Sequence, residues 1–82
     1  MKTIHDPRYL KVIERLKQAR KSCNISQVEL AEKLGRPQSY VAKIEKLERR
    51  LDVMELFDWL TAIELNPIDF LISTGLFGRT QK

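Results

Sequence analysis

The fold of this 82-residue chain is decided by the stretch Ser26–Glu45, which reads SQVELAEKLGRPQSYVAKIE. Ser26 and Glu29 form an S-x-x-E capping box, in which a hydroxyl and a carboxylate each pair with a backbone N–H that a helix start leaves unbonded. We expect this helix to end at Leu34, because Gly35 readily adopts the left-handed conformation that closes a helix.

A second helix follows after a short turn. Pro37 suits the first turn of a helix, and we expect the segment Pro37–Lys46 to be helical. Ala31 leaves room for the two helices to pass closely, and four apolar residues lock the pair onto a shared core: Leu30, Leu34, Val41 and Ile44. This is the pattern of a helix-turn-helix, whose second helix enters the major groove of DNA.

Three more helices are predicted around this pair. Asp6-Pro7 caps a first helix with apolar residues at three- and four-residue spacing. Asp52 with Glu55 caps a fourth helix running to roughly Glu64, and Asn66-Pro67 caps a fifth that stops at Gly75. We therefore predict one compact all-α domain of five helices, with a core over residues 7–75 and fraying at residues 1–5 and 78–82.

Composition and charge restrict the classes of function that the chain can have. Lys and Arg number 15 and Asp and Glu 11, and residues 1–24 alone carry seven basic and two acidic groups. A small basic protein favours a polyanionic partner. The single Cys and single His exclude a disulfide and a Cys-rich zinc site, and no nucleophile–base pair or phosphate loop is present. We expect neither an enzyme nor a cofactor, and we expect a cytoplasmic protein because no signal or spanning segment is evident.

The stretch Ser26–Glu45 resembles the Cro/repressor-type (XRE) helix-turn-helix family, and the resemblance covers roughly residues 8–73. The following ERRLDV, residues 48–53, also fits one branch of that family. The resemblance implies a lambda-repressor-like domain that binds double-stranded DNA and regulates transcription.

The resemblance also implies which residues meet DNA. It places base readout on Gln38, Ser39 and Lys43. On a helix whose Val41 and Ile44 face inward, these three lie on the opposite side. Gln suits adenine N6 and N7, and Lys suits guanine O6 and N7. Phosphate contacts are expected from Gln27, which begins its helix, and from Arg36, Tyr40, Lys46, Arg49 and Arg50. The alternative is that the basic residues are solvated surface charges and that Gln38 only starts a helix.

A structural ion pair is implied as well. In this family an arginine late in the first helix pairs with a glutamate that ends the recognition helix, and Arg20 and Glu45 occupy the matching positions. We predict a partly buried pair that sets the angle of the recognition helix, the alternative being two exposed charges.

Leu47 and Arg36 depart from the family pattern, and Cys23 is expected to be structural. Leu47 stands where the family usually has glycine, and leucine resists the left-handed conformation, so we expect the helix to continue or the loop to take another path. Arg36 replaces a commonly apolar turn residue, which predicts an exposed corner. Cys23 is predicted to be a small core residue at the end of the first helix.

The apolar C-terminal half suggests a protein interface. Residues 53–77 include 15 apolar residues among 25, more than so small a core buries easily. We expect a homodimer interface to include Trp59, Phe70, Leu76 and Phe77. The homodimer would bind a palindromic operator and act as a repressor or activator. Phage regulators, restriction–modification controllers and antitoxins all fit. The alternative function is a protein-interaction module that contacts a toxin or RNA polymerase, with DNA binding secondary.

Overall fold

The computed structural model describes residues 3–76 of the chain. Within this range the chain is all-α, with no strand. One 3-10 turn, Thr3–His5, precedes five helices: α1 (Pro7–Ser22), α2 (Gln27–Leu34), α3 (Gln38–Glu45), α4 (Val53–Ala62) and α5 (Pro67–Ser73). The predicted all-α class and the order of five helices are therefore confirmed. No helix in the described part of the chain is long and apolar enough to span a membrane.

The caps that the sequence predicts determine where the helices begin. The Asp6 carboxylate accepts a hydrogen bond from the backbone N–H of Arg8 ahead of α1. Complete capping boxes open α2, through Ser26 and Glu29, and α4, through Asp52 and its third helical residue. Each box satisfies two backbone donors that the first turn leaves without an intrahelical partner.

The helix-turn-helix packs on a single apolar core. Gly35 ends α2 with a φ of 67°, as its lack of a Cβ allows, and α3 follows three residues later. The side chains that hold this pair to α1 and α4 are fully or almost fully buried: Ile13, Leu16, Leu30, Ala31, Val41, Ile44, Trp59 and Leu60. Because α3 is anchored by Val41 and Ile44 on one side only, its other side remains available to solvent.

Leu47 adopts the conformation that a glycine would take. Its φ is 66°, and α3 ends at Glu45, so the helix does not continue through Leu47. Left-handed backbone costs an L-residue about 1–2 kcal/mol. The Leu47 side chain packs against the core and lines a small cavity with Leu10 and Ile13, which offsets that cost by burial.

Three further expectations need correction. Cys23 is exposed rather than buried, because α1 ends one residue before it. Residues 3–5, predicted to fray, form a 3-10 turn, whereas residues 78–82 lie outside the described residues. Helix α4 ends at Ala62, and Glu64, predicted to end it, instead has a left-handed φ of 61°. The predicted exposure of Arg36 at the turn is confirmed, with 45% of its side chain accessible.

Candidate nucleic-acid interface

The outward side of α3 forms a polar surface, which we call the reading face: Gln38, Ser39 and Lys43 are all exposed. The opposite side of the helix carries Val41 and Ile44, both without accessible surface. The three residues predicted to read bases therefore share one solvent-facing side of one helix. A helix that presents amide, hydroxyl and ammonium groups in this way offers both donors and acceptors to base edges.

Beneath the reading face lies a buried ion pair. Arg20 Nε donates to Glu45 Oε2 at 2.7 Å and Arg20 Nη2 donates to Glu45 Oε1 at 3.0 Å. The two side chains are only 7% and 3% exposed. The third Arg20 donor, Nη1, bonds the carbonyl oxygen of Ile25 at 2.7 Å. The pair thus joins the last turn of α1 to the end of α3 and to the residue that precedes the cap of α2.

Gln27 connects this ion pair to the reading face. Its Nε2 donates to Glu45 Oε1 at 2.8 Å, and its Oε1 accepts from Gln38 Nε2 at 2.7 Å. The four side chains form one chain of hydrogen bonds, which we call the polar network, in the order Arg20, Glu45, Gln27 and Gln38. The pairing of Arg20 with Glu45 is the one that the family resemblance implies, whereas Gln27 and Gln38 were expected to contact DNA separately. Nothing in the spacing of two glutamines indicates that they meet, since the contact depends on how α2 crosses α3.

The polar network leaves Gln38 with the groups that adenine requires. A glutamine amide has two N–H donors and one carbonyl acceptor. One N–H of Gln38 is bonded to Gln27, so a second N–H and the carbonyl oxygen stay available on an exposed side chain. Adenine presents an acceptor at N7 and a donor at N6, which this remaining pair matches.

A second cluster flanks α3 at both ends and consists of Arg36, Tyr40, Arg49 and Glu55; we call it the arginine cluster. The guanidinium carbons of Arg36 and Arg49 lie 4.3 and 4.9 Å from the centroid of the Tyr40 ring. Arg49 donates through Nη1 and Nη2 to the two carboxylate oxygens of Glu55, both at 3.0 Å. Arg36 Nη2 lies 3.6 Å from Glu55 Oε2. One carboxylate therefore holds two guanidinium groups.

The charge of Glu55 is stabilised in this cluster. The hydrogen bonds from Arg49 lower the pKa of the Glu55 carboxyl below its ordinary value, against the opposing effect of burial. The same carboxylate also accepts from the backbone N–H of Asp52 as part of the α4 capping box. The sequence predicts Glu55 only as a cap, because its arginine partners come from separate loops.

Tyr40 is misplaced in the predicted set of phosphate contacts. Its side chain is buried, and its hydroxyl accepts a hydrogen bond from the Trp59 indole at 3.3 Å. The two rings meet edge to face with centroids 6.3 Å apart. Because α3 turns this residue toward α4, Tyr40 supports the two arginines instead of reaching outward. Lys46 and Arg50 are exposed, as a phosphate contact requires.

The predicted interface residues also need correction. Trp59 and Phe70 are 1% and 4% exposed and belong to the core, because α4 and α5 turn them inward. Leu76 is 39% exposed, and Phe77 lies outside the described residues. The apolar side chains that do reach the surface of α4 and α5 are others: Val53, Met54, Phe57, Ile68 and Ile72. Helical periodicity does not distinguish these positions, since both sides of each helix are apolar.

Comparison with known proteins agrees with this geometry. A family described as Helix-turn-helix matches residues 16–70 of the chain. A solved structure, an XRE-family like protein from Pseudomonas syringae pv. tomato str. DC3000, is 43% identical, with 94% of each chain covered and a TM-score of 0.84. No curated protein sequence matches the chain.

The fold and the reading face define a helix-turn-helix DNA-binding protein. More particularly, the chain belongs to the XRE family, which confirms the resemblance inferred from Ser26–Glu45. Membership of this family makes it a DNA-binding transcription regulator.

Proposed function

We propose that the protein recognises a specific operator by inserting α3 into the major groove, with Gln38, Ser39 and Lys43 reading base edges. The observation that carries this proposal is the polar network, which holds Gln38 while leaving one N–H and the carbonyl oxygen free. A side chain restrained before binding loses less conformational entropy on binding. Gln38 is therefore expected to specify an adenine, and Lys43 a guanine.

Phosphate contacts in this proposal surround the reading face. Lys46 and Arg50 are exposed cations. Gln27 is the first residue of α2, where the backbone N–H groups suit a phosphate oxygen. Its side chain is already used by Gln38 and Glu45, so its phosphate contact is assigned to the backbone.

Selection of bound sites from a random DNA pool tests the base-reading assignment. Replacing Gln38 by Ala is expected to cost about 1–3 kcal/mol on the preferred site and to relax one base position. The variant Gln27→Ala should relax the same position, because it removes the support of Gln38. Gln18→Ala is the matched control, since Gln18 is an exposed glutamine on α1 that bonds only Arg15 among residues 3–76. Identical selected sequences from wild type and Gln38→Ala would remove Gln38 from the base-reading set.

We also propose that the protein acts as a homodimer on a palindrome whose half-sites lie about 34–36 Å apart. The exposed pair Ile68 and Ile72 supports α5 as the contact surface, because the two side chains lie one helical turn apart and are 68% and 63% exposed. Sedimentation of Ile72→Asp beside Met54→Asp checks this assignment. Loss of the dimer in the α5 variant alone is expected, and a dimer that survives in Ile72→Asp would contradict it.

The alternative function as a protein-interaction module depends on the same exposed apolar side chains. The two functions differ in the sequence preference expected for DNA binding. A protein whose DNA contact is incidental should bind every sequence alike, with a salt dependence set only by phosphates. A selected consensus from the random pool favours the regulator, and absence of any consensus favours the module.

A further inference from the structure

We propose that Glu55 acts as an intramolecular competitor for the DNA phosphates: it neutralises the arginines at both ends of α3 and so suppresses sequence-independent binding. This inference rests on the proposed DNA-binding function. It concerns the part of the binding free energy that comes from contacts with DNA phosphates, whereas the reading face concerns contacts with the bases.

The positions of the arginines make them natural phosphate contacts. Arg36 lies two residues before α3 and Arg49 lies four residues after its end. Both side chains are partly exposed, at 45% and 39%. Guanidinium groups beside a recognition helix contact phosphates in a manner that carries no sequence information. Left free, the pair would add sequence-independent affinity.

The arginine cluster restrains the pair instead. Glu55 is only 12% exposed and occupies Nη1 and Nη2 of Arg49 in a bidentate geometry, the strongest arrangement available to these two groups. A second bond from Arg49 Nη1 reaches the Arg50 carbonyl oxygen at 2.8 Å. The Tyr40 ring beneath both guanidinium groups adds a cation–π contact to each. Moving Arg49 toward a phosphate would break its own contacts with Glu55, the Arg50 carbonyl oxygen and the Tyr40 ring.

The charges in the arginine cluster determine whether loss of Glu55 strengthens or weakens phosphate binding. The two arginines carry two positive charges and Glu55 one negative charge within 3.6 Å of both. Removing the carboxylate charge raises the net positive charge at this site by one. Each additional phosphate neutralised by a protein steepens the dependence of log K on log salt by about 0.9.

The decisive variant is Glu55→Gln. A glutamine can still complete a capping box, so the start of α4 is retained while the charge is lost. We expect the salt slope on a duplex of arbitrary sequence to steepen by about 0.9, which widens the affinity loss between 50 and 200 mM salt by about 3.5-fold. We also expect the ratio of operator affinity to non-specific affinity to fall.

Glu48→Gln is the matched control. It removes the same charge from the neighbouring loop, and the Glu48 carboxylate pairs with no basic side chain among residues 3–76. Its slope should stay near that of wild type. Equal slopes in wild type and Glu55→Gln, or an equal steepening in Glu48→Gln, would overturn the role of Glu55 while the proposed function stands. Absence of wild-type DNA binding would overturn both.

If Glu55→Gln does not fold, a measurement on the wild-type protein tests the same role of Glu55. Side-chain NMR of the arginine Nε–H and Nη–H groups can be recorded without DNA and with a duplex of arbitrary sequence. We expect the Arg49 signals to remain unshifted while those of the exposed Arg50 move. Shifts of Arg49 as large as those of Arg50 would show that Glu55 does not withhold it.

Discussion

Replacing Arg20 by Met is expected to destabilise the protein strongly. The change removes two hydrogen bonds to the Glu45 carboxylate and one to the Ile25 carbonyl oxygen. Glu45, which is 3% exposed, would then retain only the bond from Gln27. A buried charge that loses its partner costs about 3–5 kcal/mol, because burial has already removed the water that would solvate it.

This loss is large for a chain of this size. Domains are stabilised by roughly 0.05–0.15 kcal/mol per residue, which is about 4–12 kcal/mol for 82 residues. The double variant Arg20→Met/Glu45→Leu removes both charges together. It should be much closer to wild type than Arg20→Met, because no unpaired buried charge remains. It should nevertheless bind the operator less tightly, since Gln27 loses the carboxylate that orients it.

Urea denaturation measures both variants. Trp59 is the single tryptophan of the chain and is 1% exposed, so its fluorescence reports the loss of the core. The midpoint should fall with little change in the slope m, because the area exposed on unfolding is nearly unchanged. A cost below about 1 kcal/mol for Arg20→Met, or a double variant as unstable as the single one, would refute the assignment of an essential buried ion pair.

Three further predictions concern local features. Glu64→Gly should stabilise the protein by about 0.5 kcal/mol in the same denaturation assay, because relief of left-handed strain exceeds the added entropy of the unfolded chain, whereas Glu64→Ala should bring no such gain. Ser26→Ala should cost about 1 kcal/mol by loss of the α2 cap, and Ser26→Asp should restore most of it. The lowered pKa of Glu55 implies stability that is fully present above its ordinary value of 4.5 and is lost as pH falls through the folded value. The difference in unfolding free energy between wild type and Glu55→Gln should therefore shrink as denaturation is repeated at successively lower pH below 4.5, and a constant difference would count against the Arg49 pair.

Much of the fold is readable from local sequence. The starts of α1, α2, α4 and α5 follow from capping residues next to the helices they begin, and Gly35 marks the end of α2. These signals act over three or four residues, so no tertiary information is needed to interpret them. The pairing of Arg20 with Glu45 came from family resemblance, and the structure contains the pair.

Side-chain surroundings could not be read in the same way. Trp59 and Phe70 are buried while Ile68 and Ile72 are exposed, although all four are apolar residues on helices with apolar residues on both sides. Composition gives the number of such residues but not the direction in which each side chain points. Orientation depends on which side of each helix meets the rest of the core.

Sequence alone determined that α3 is a short helix with a polar side, because the helical spacing of its apolar residues is a property of neighbouring residues. Tertiary structure alone decided what supports that side. Gln27 meets Gln38, and Glu55 meets Arg49, only because helices and loops distant in sequence cross at particular angles. Those crossings are set by the packing of the whole core, which no local pattern encodes.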